Sequence, residues 1–300
     1  MEQERRVRCN HCMSVVYEEY LIKDDDTESG ERCPICKKME INKCYNENCL
    51  DTMEKMPNGF IDLTVTSPPY DNLRTYNGYS FDFEAVAKEL FRVTKQGGVV
   101  VWVVGDATIR GSETGTSFRQ ALFFKECGFN LHDTMIYRKN SLTFPDTNRY
   151  YQCFEYMFVF SKYAPKTAHL LADRPNKQAN KQITGNYRDV DGTLKEMSGS
   201  KNKRSIKPFG VRWNVWEYNT GWQHSYTEDY LRKQPAIFPE KLANDHIISW
   251  SNEGDLVYDP FMGSGTTAKM AIINKRNWIG SEISEEYCKI IERRLTTAST

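Results

Sequence analysis

Two segments carry residue types whose order suits chemistry on a flat, nitrogen-bearing ring. Thr66-Ser67-Pro68-Pro69-Tyr70 follows the apolar run Ile61-Asp62-Leu63-Thr64-Val65. An exocyclic ring amine is a poor nucleophile because its lone pair is delocalised into the ring. Acceptors that hold both of its N–H hydrogens favour the more tetrahedral nitrogen that can attack. Ser67 Oγ and the Pro68 carbonyl can be those acceptors, and two consecutive prolines fix φ so that both are pre-placed. Tyr70 offers a face on which a base can stack. Ser-Pro-Pro is common in ordinary loops; its place after a buried strand is what gives it weight.

The second segment, Asp259-Pro260-Phe261-Met262-Gly263-Ser264-Gly265-Thr266-Thr267, follows Leu256-Val257-Tyr258. Gly263-x-Gly265-x-x-Ala268 fits the strand–loop–helix fingerprint, in which small residues allow a tight turn and close approach of a nucleotide-type cofactor. Glu282 stands nineteen residues after Gly263, at the end of the next strand, where a carboxylate accepts hydrogen bonds from ribose hydroxyls. On these residues alone NAD, FAD and S-adenosylmethionine all remain open.

A third constellation is Cys9-x-x-Cys12 with Cys33-x-x-Cys36, twenty residues apart. Paired knuckles of this spacing supply four thiolates to tetrahedral Zn2+, a closed and therefore structural site. His11, Cys44 and Cys49 are substitute ligands of poorer spacing. A zinc ribbon over residues 1–40 is expected, since so small a module needs a staple beyond its own core.

The elements that must position these groups follow from periodicity. At 300 residues, 39% hydrophobic and 27% charged, the chain can hold one large α/β domain plus a small module. Its formal net charge is zero, so any nucleic-acid contact must be a local patch. No secretory signal is visible, and the longest strongly apolar run, Val99 to Val104, is too short to span a bilayer. Nine cysteines suit a reducing compartment. Strands are expected near 41–45, 61–66, 99–104, 131–137, 153–160, 256–258 and 278–283. Helices are expected near 50–56, 83–94, 117–127, 241–250, 266–274 and 284–295. This alternation predicts an α/β, mostly parallel, doubly wound sheet. Residues 163–233 break the rhythm. From Ala172 to Arg212 ten Lys/Arg accompany four acids, and Lys201-Asn202-Lys203-Arg204 is the densest basic cluster. Such a stretch suits phosphate contacts, or else is a solvated insertion.

The two motifs, with the proline turn ahead of the glycine loop, resemble the beta group of S-adenosylmethionine-dependent DNA amino-methyltransferases, the N4-cytosine and N6-adenine methylases. Asp259-Pro260-Phe261, Gln234-Pro235-Ala236-Ile237-Phe238-Pro239, Asn46 to Asp51 and Asp71 to Tyr76 resemble further family segments, with Gln234 and Asn48 where the family more often has His and Asp. The resemblance covers roughly residues 41–296 and leaves the cysteine module outside. It implies a circularly permuted Rossmann-like methyltransferase sheet whose catalytic half is 41–162 and whose cofactor half is 234–300, with a target-recognition region at 163–233. It implies S-adenosylmethionine held by Asn48, Thr66, Phe238, Asp259, Pro260, Phe261, Gly263, Ser264, Gly265, Thr266 and Glu282. A base swung out of the duplex would be held by Ser67, Pro68, Pro69 and Tyr70, with DNA contacts from Arg74, Lys201, Lys203 and Arg204. Serine ahead of Pro-Pro-Tyr resembles the N4-cytosine subset; N6-adenine is the alternative. C5 methylation of cytosine is disfavoured because none of the nine cysteines follows a proline. A restriction-associated enzyme with a cognate endonuclease as partner and a solitary or phage-borne enzyme both stay open, with the cytoplasm of a bacterial, archaeal or phage-infected cell the setting. Two readings of other classes stay open: a zinc-ribbon DNA-binding protein with an inactive methyltransferase fold, and a nicotinamide oxidoreductase.

Overall fold

The computed structural model describes residues 39–69, 81–140, 148–220, 228 and 238–298, with the backbone of four short strands nearer the N-terminus. Eight strands form one sheet: β1 (Lys43–Tyr45), β2 (Ile61–Thr66), β3 (Thr94–Val104), β4 (Asn130–Lys139), β5 (Phe154–Ser161), β6 (Val215–Tyr218), β7 (Leu256–Asp259) and β8 (Asn277–Ser281). Their order across the sheet is β6-β4-β5-β3-β2-β7-β8-β1. Every pairing is parallel except those of β5, which runs antiparallel to β4 and to β3. An antiparallel pair such as β4–β5 needs no crossover helix between its strands.

From β2 the chain moves through α2 (Phe83–Val93) to β3 on one side. From β7 it moves through α6 (Thr266–Ile273) to β8 on the other. Right-handed crossovers in opposite directions put these helices on opposite faces. α1 (Cys49–Glu54), α2 and α3 (Thr116–Glu126) bury Met53, Val86, Leu90 and Phe124 against Val100, Trp102 and Phe160. α5 (Glu240–Trp250), α6 and α7 (Glu285–Ala298) pack on one another. Buried on both faces, the central strands read as continuous apolar runs, as Val99 to Val104 does.

Two elements differ from the sequence expectation. β3 begins at Thr94, five residues ahead of the apolar run, and passes through Gly97-Gly98 rather than starting after them. The register jumps from Ile61↔Thr94 to Leu63↔Val99, so residues 95–98 bulge out. Gly97, at φ 77°, makes this possible: its N–H donates to the Lys162 carbonyl at 2.7 Å, and a Cβ there would meet Lys166 Cβ at 2.7 Å. The second difference is β6, which joins the sheet beside β4 inside the stretch expected to be irregular. Trp216 and Tyr218 are buried on alternate positions. Trp216 lies over His246 at 4.6 Å, and Tyr218 Oη donates to Asp245 Oδ2 at 2.8 Å.

Leu170–Asn214 form a separate compact unit. It is a long antiparallel ribbon that starts where the Arg212 N–H meets the Leu171 carbonyl and runs to a tip where the Asp189 N–H meets the Thr193 carbonyl. The hairpin Asn186–Arg188 with Leu194–Glu196 forms its outer part, and α4 (Ser198–Lys201) interrupts the returning strand. Among the described residues no helix is long and apolar enough to cross a membrane.

Candidate functional site

β2 and β7 lie side by side and parallel, with Leu63 opposite Val257 and Thr64 opposite Tyr258. Their carboxyl ends therefore release the Ser67-Pro68-Pro69 turn and the Asp259-to-Gly265 loop next to each other. This is the point where the chain leaves in opposite directions, the usual place for a ligand in an open α/β sheet. A buried hydrogen bond ties the two together: Thr66 Oγ1 donates to Asp259 Oδ1 at 2.7 Å. The Phe261 N–H donates to the same oxygen at 3.0 Å. Burial raises the Asp259 carboxyl above the ordinary range, and these two donors together with Thr267 offset part of the rise. Thr267 Oγ1 also donates to the Val65 carbonyl at 3.1 Å, tying the start of α6 to β2.

The glycine loop is held from three sides. Gly265, at φ 78°, is the N-cap of α6, and a Cβ there would press on Ile291 at 3.2 Å. Gly263, at φ 51°, has no atom of the described residues within 4 Å of a Cβ built on it. Glu282 follows β8 immediately, and its N–H donates to the Tyr45 carbonyl of β1 at 3.0 Å. Its Oε2 accepts from the Gly263 N–H at 2.8 Å and its Oε1 from the Ser284 N–H at 2.9 Å. A carboxylate has about four lone-pair positions, so two hydrogen bonds leave it capacity for a ligand's hydroxyls. Burial raises its pKa, and the Ser284 and Gly263 N–H groups only partly counter this.

The remaining sequence candidates fall as follows. Ser67 is half-buried, Pro68 buried and Pro69 half-buried at the end of β2. Pro260 is buried in the loop and Thr266 at the start of α6. Phe261 is half-buried and meets Phe81 edge-on at 4.9 Å and Trp102 at 6.2 Å. Asn48 is the N-cap of α1, its Oδ1 accepting from the Leu50 N–H at 2.9 Å. Next to it, Asn46 Nδ2 donates to the Glu282 carbonyl at 2.9 Å. Phe238 is half-buried just ahead of α5. Lys201, Lys203 and Arg204 are exposed in the 170–214 unit. Tyr70, Arg74, the Gln234 to Ile237 stretch and Cys9, Cys12, Cys33 and Cys36 lie outside the described residues. Cys44 and Cys49, the substitute ligands, have thiols raised by burial, Cys49 to about 12, and Cys44 Sγ rests 3.8 Å from Cys288 Sγ. Among the described residues no cluster of three or more His, Cys, Asp or Glu could hold a metal.

Two residues at the site carry no motif. Arg294 of α7 is fully buried, and its Nη1 donates to the Ser264 carbonyl at 3.0 Å, Ser264 Oγ at 3.1 Å and Thr266 Oγ1 at 2.9 Å. Its other nitrogens reach Glu240 at 2.6 Å and Glu228 at 3.0 Å, and Lys269 bridges the same two carboxylates. Burial pushes the Glu228 carboxyl up, but Lys269 and Arg294 more than reverse this and hold it at about 2. A sequence signal exists: Arg294 sits three residues after buried Ile291 and directly before buried Leu295, on the apolar face of its helix. Asp106, just past the end of β3, is likewise buried. It accepts from the Ser117 N–H at 2.8 Å and from the Ser117 hydroxyl, which anchors the start of α3.

The comparisons with known proteins agree with this geometry. Residues 61–293 match a family model described as a DNA methylase, of the N6/N4 type. The chain is similar to the orphan methyltransferase M.BamHII of Bacillus amyloliquefaciens, at 66% identity over 237 residues, which cover 78% of this chain and 88% of that protein. It is similar to the type II methyltransferase M.MthZI of Methanothermobacter thermautotrophicus, at 29% identity over 85% of this chain and 76% of that one. In fold it is similar to the PvuII DNA methyltransferase (cytosine-N4-specific), with a TM-score of 0.62 at 22% identity, over 85% of this chain and 86% of that chain.

Proposed function

The chain belongs to the N6/N4 DNA methylase family, and from that membership we propose that it moves a methyl group from S-adenosylmethionine to the exocyclic N4 amine of cytosine in DNA. The observation that carries the reading is the adjacency of the two motifs, joined by the Thr66–Asp259 hydrogen bond. S-adenosylmethionine supplies an electrophilic methyl group on a sulfonium. The space that the described residues leave over Gly263 and the spare lone pairs of Glu282 fit its ribose, and Asn48, Phe238 and Asp259-Pro260-Phe261 would wall the rest. Ser67 Oγ and the Pro68 carbonyl would hold the amine hydrogens and draw the nitrogen towards attack, with Pro69 stiffening the turn. The amine proton leaves to solvent after transfer. Because the amine lies within the duplex stack, the base would be flipped out and stacked on Tyr70.

Serine ahead of the two prolines supports cytosine over adenine as the target base. The sheet would be a circularly permuted methyltransferase sheet, a reading supported by the late position in the chain of its central strand β7. The catalytic half would be 41–162 and the cofactor half 234–300, with DNA contacts from Arg74, Lys201, Lys203 and Arg204 in or near the region between them. The relative of 66% identity is named an orphan methyltransferase, and this chain would likewise act without a dedicated endonuclease.

At the N-terminus, Cys9, Cys12, Cys33 and Cys36 would hold a structural Zn2+. The donor chemistry supports this, since four thiolates close a tetrahedral site. So does position, because Cys9 and Cys12 fall in the connection between the paired strands Arg6–Arg8 and Val15–Tyr17, and Cys33 directly follows Glu31–Arg32. Elemental analysis of the purified chain should find about one zinc per molecule.

The test of the reaction is nucleoside mass spectrometry on mixed-sequence DNA treated with the protein and methyl-labelled S-adenosylmethionine. Label in N4-methylcytosine supports the proposal. Label in N6-methyladenine moves the target base but keeps the site, and no label alongside confirmed cofactor binding rejects the activity.

A further inference from the structure

The Leu170–Asn214 ribbon separates its charges along its length. All four of its acids lie at the two ends. Asp173 pairs with Arg212 at the base, while Asp189, Asp191 and Glu196 lie around the tip. The tip acids are engaged locally. Asp189 pairs with Lys195, Asp191 accepts from the Thr193 N–H at 2.9 Å, and Glu196 accepts from Ser200 Oγ at 2.7 Å. The middle, 174–188 on one strand and 197–211 on the other, contains no acid. Lys177, Lys181, Lys201, Lys203, Arg204 and Lys207 are all exposed there, and none forms an ion pair among the described residues.

The ladder brings these six together along one stretch of the two strands. The Ile206 N–H donates to the Lys181 carbonyl at 2.8 Å, and the Ile183 N–H to the Arg204 carbonyl at 2.8 Å. Asn176 Nδ2 donates to the Lys207 carbonyl at 2.9 Å. α4 folds the 201–204 cluster back onto this ladder: the Arg204 N–H donates to the Gly199 carbonyl at 2.8 Å, and Gly199 packs so closely on Ile183 that a Cβ would meet its side chain at 2.7 Å. Lys177, Lys181 and Lys207 thus join a basic cluster from which they are separate in the sequence. Neighbouring strands stand about 4.8 Å apart, and duplex DNA carries one negative charge per roughly 1.7 Å of its axis. A two-stranded ribbon is also narrow enough for the major groove.

We propose that the acid-free middle of this ribbon, and not its tip, is the surface that grips the phosphates of duplex DNA, with Lys177, Lys181 and Lys207 contributing alongside Lys201, Lys203 and Arg204. This rests on the reading of the chain as an enzyme acting on DNA. The test is fluorescence anisotropy of the full chain on a labelled mixed-sequence duplex across a KCl series. The triple variant Lys177→Ala, Lys181→Ala, Lys207→Ala is compared with the tip variant Lys195→Ala. Each lost phosphate contact lowers the slope of log affinity against log salt by about 0.9. The triple variant should therefore lose about 2 to 3 units of slope and at least about 10-fold in affinity, with melting temperature and S-adenosylmethionine affinity unchanged. Lys195→Ala should keep the wild-type slope. The Lys→Gln version of the triple variant repeats the measurement should the alanines disturb folding. A triple variant with wild-type slope overturns the proposal, as does an equal loss from Lys195→Ala. A wild-type chain that binds S-adenosylmethionine but no duplex overturns the proposal together with the DNA reading.

Discussion

Around the ends of β2 and β7 the ionisable groups are buried and held in place by partners: Asp259 by Thr66 and Phe261, Glu282 by Gly263 and Ser284, Arg294 by Ser264, Thr266 and two carboxylates. In the middle of the 170–214 ribbon Lys177, Lys181, Lys201, Lys203, Arg204 and Lys207 are exposed, of one sign and without ion-pair partners among the described residues. The first arrangement fixes atoms to within a fraction of an ångström, as a transfer step needs. The second fixes little but offers charge to a polyanion whose sequence varies. The strand-end site should therefore fail through geometry and the ribbon through charge and salt.

The largest effect should come from Arg294→Met, which keeps volume but removes one of the two cations paired with Glu228 and Glu240. Breaking a buried pair by removing one partner costs about 3–5 kcal/mol, or a melting temperature lower by about 10 °C. Scanning calorimetry reads it, and a melting temperature within a degree of wild type would remove Arg294 from the support of the loop. Ser67→Ala should come next, lowering kcat on the order of 10²-fold while cofactor affinity stays put. Isothermal titration and single-turnover methylation separate the two, and unchanged turnover would show that Ser67 does not hold the amine.

Glu282→Ala should weaken S-adenosylmethionine binding by about 10- to 100-fold, the worth of a hydrogen bond to a charged acceptor. Acidification should act at the same place. The Glu282 carboxyl is raised by burial, so it takes up its proton at a higher pH than an ordinary carboxyl does. Cofactor affinity should fall as pH drops through that raised value, ahead of the normal carboxylate range. DNA affinity of the ribbon should not fall with it, because its lysines and arginines stay charged. Parallel loss of both on titration would break the contrast between the two regions. The smallest effect is that of a single Lys201→Ala, about 0.9 in salt slope, with no change in turnover at saturating DNA.

The central strands and both motifs were legible because strands buried on both faces must be apolar and their ends must carry the chemistry; Leu63, Val65, Val257 and Thr66-Ser67 read directly. β6 was not, because four residues of alternating burial, Val215 to Tyr218, resemble loop aromatics until Asp245 and His246 are seen beneath them. The β3 bulge was missed because Gly97-Gly98 reads as a helix stop, although α2 already ends at Val93. Arg294 looks like its solvated neighbour Arg293 unless the helix face is counted. The nearness of Lys177 and Lys181 to the 201–207 stretch was invisible because an antiparallel ladder joins residues some 25 to 30 apart.

The most direct test of the strand-end account is a crystal structure of the full chain with S-adenosylhomocysteine. The account predicts the ribose hydroxyls on the Glu282 carboxylate, the adenosine along the loop from Asp259 to Gly265, and the sulfur turned toward Ser67. A ligand bound away from Glu282, or with its sulfur facing away from the Ser67 turn, would contradict it.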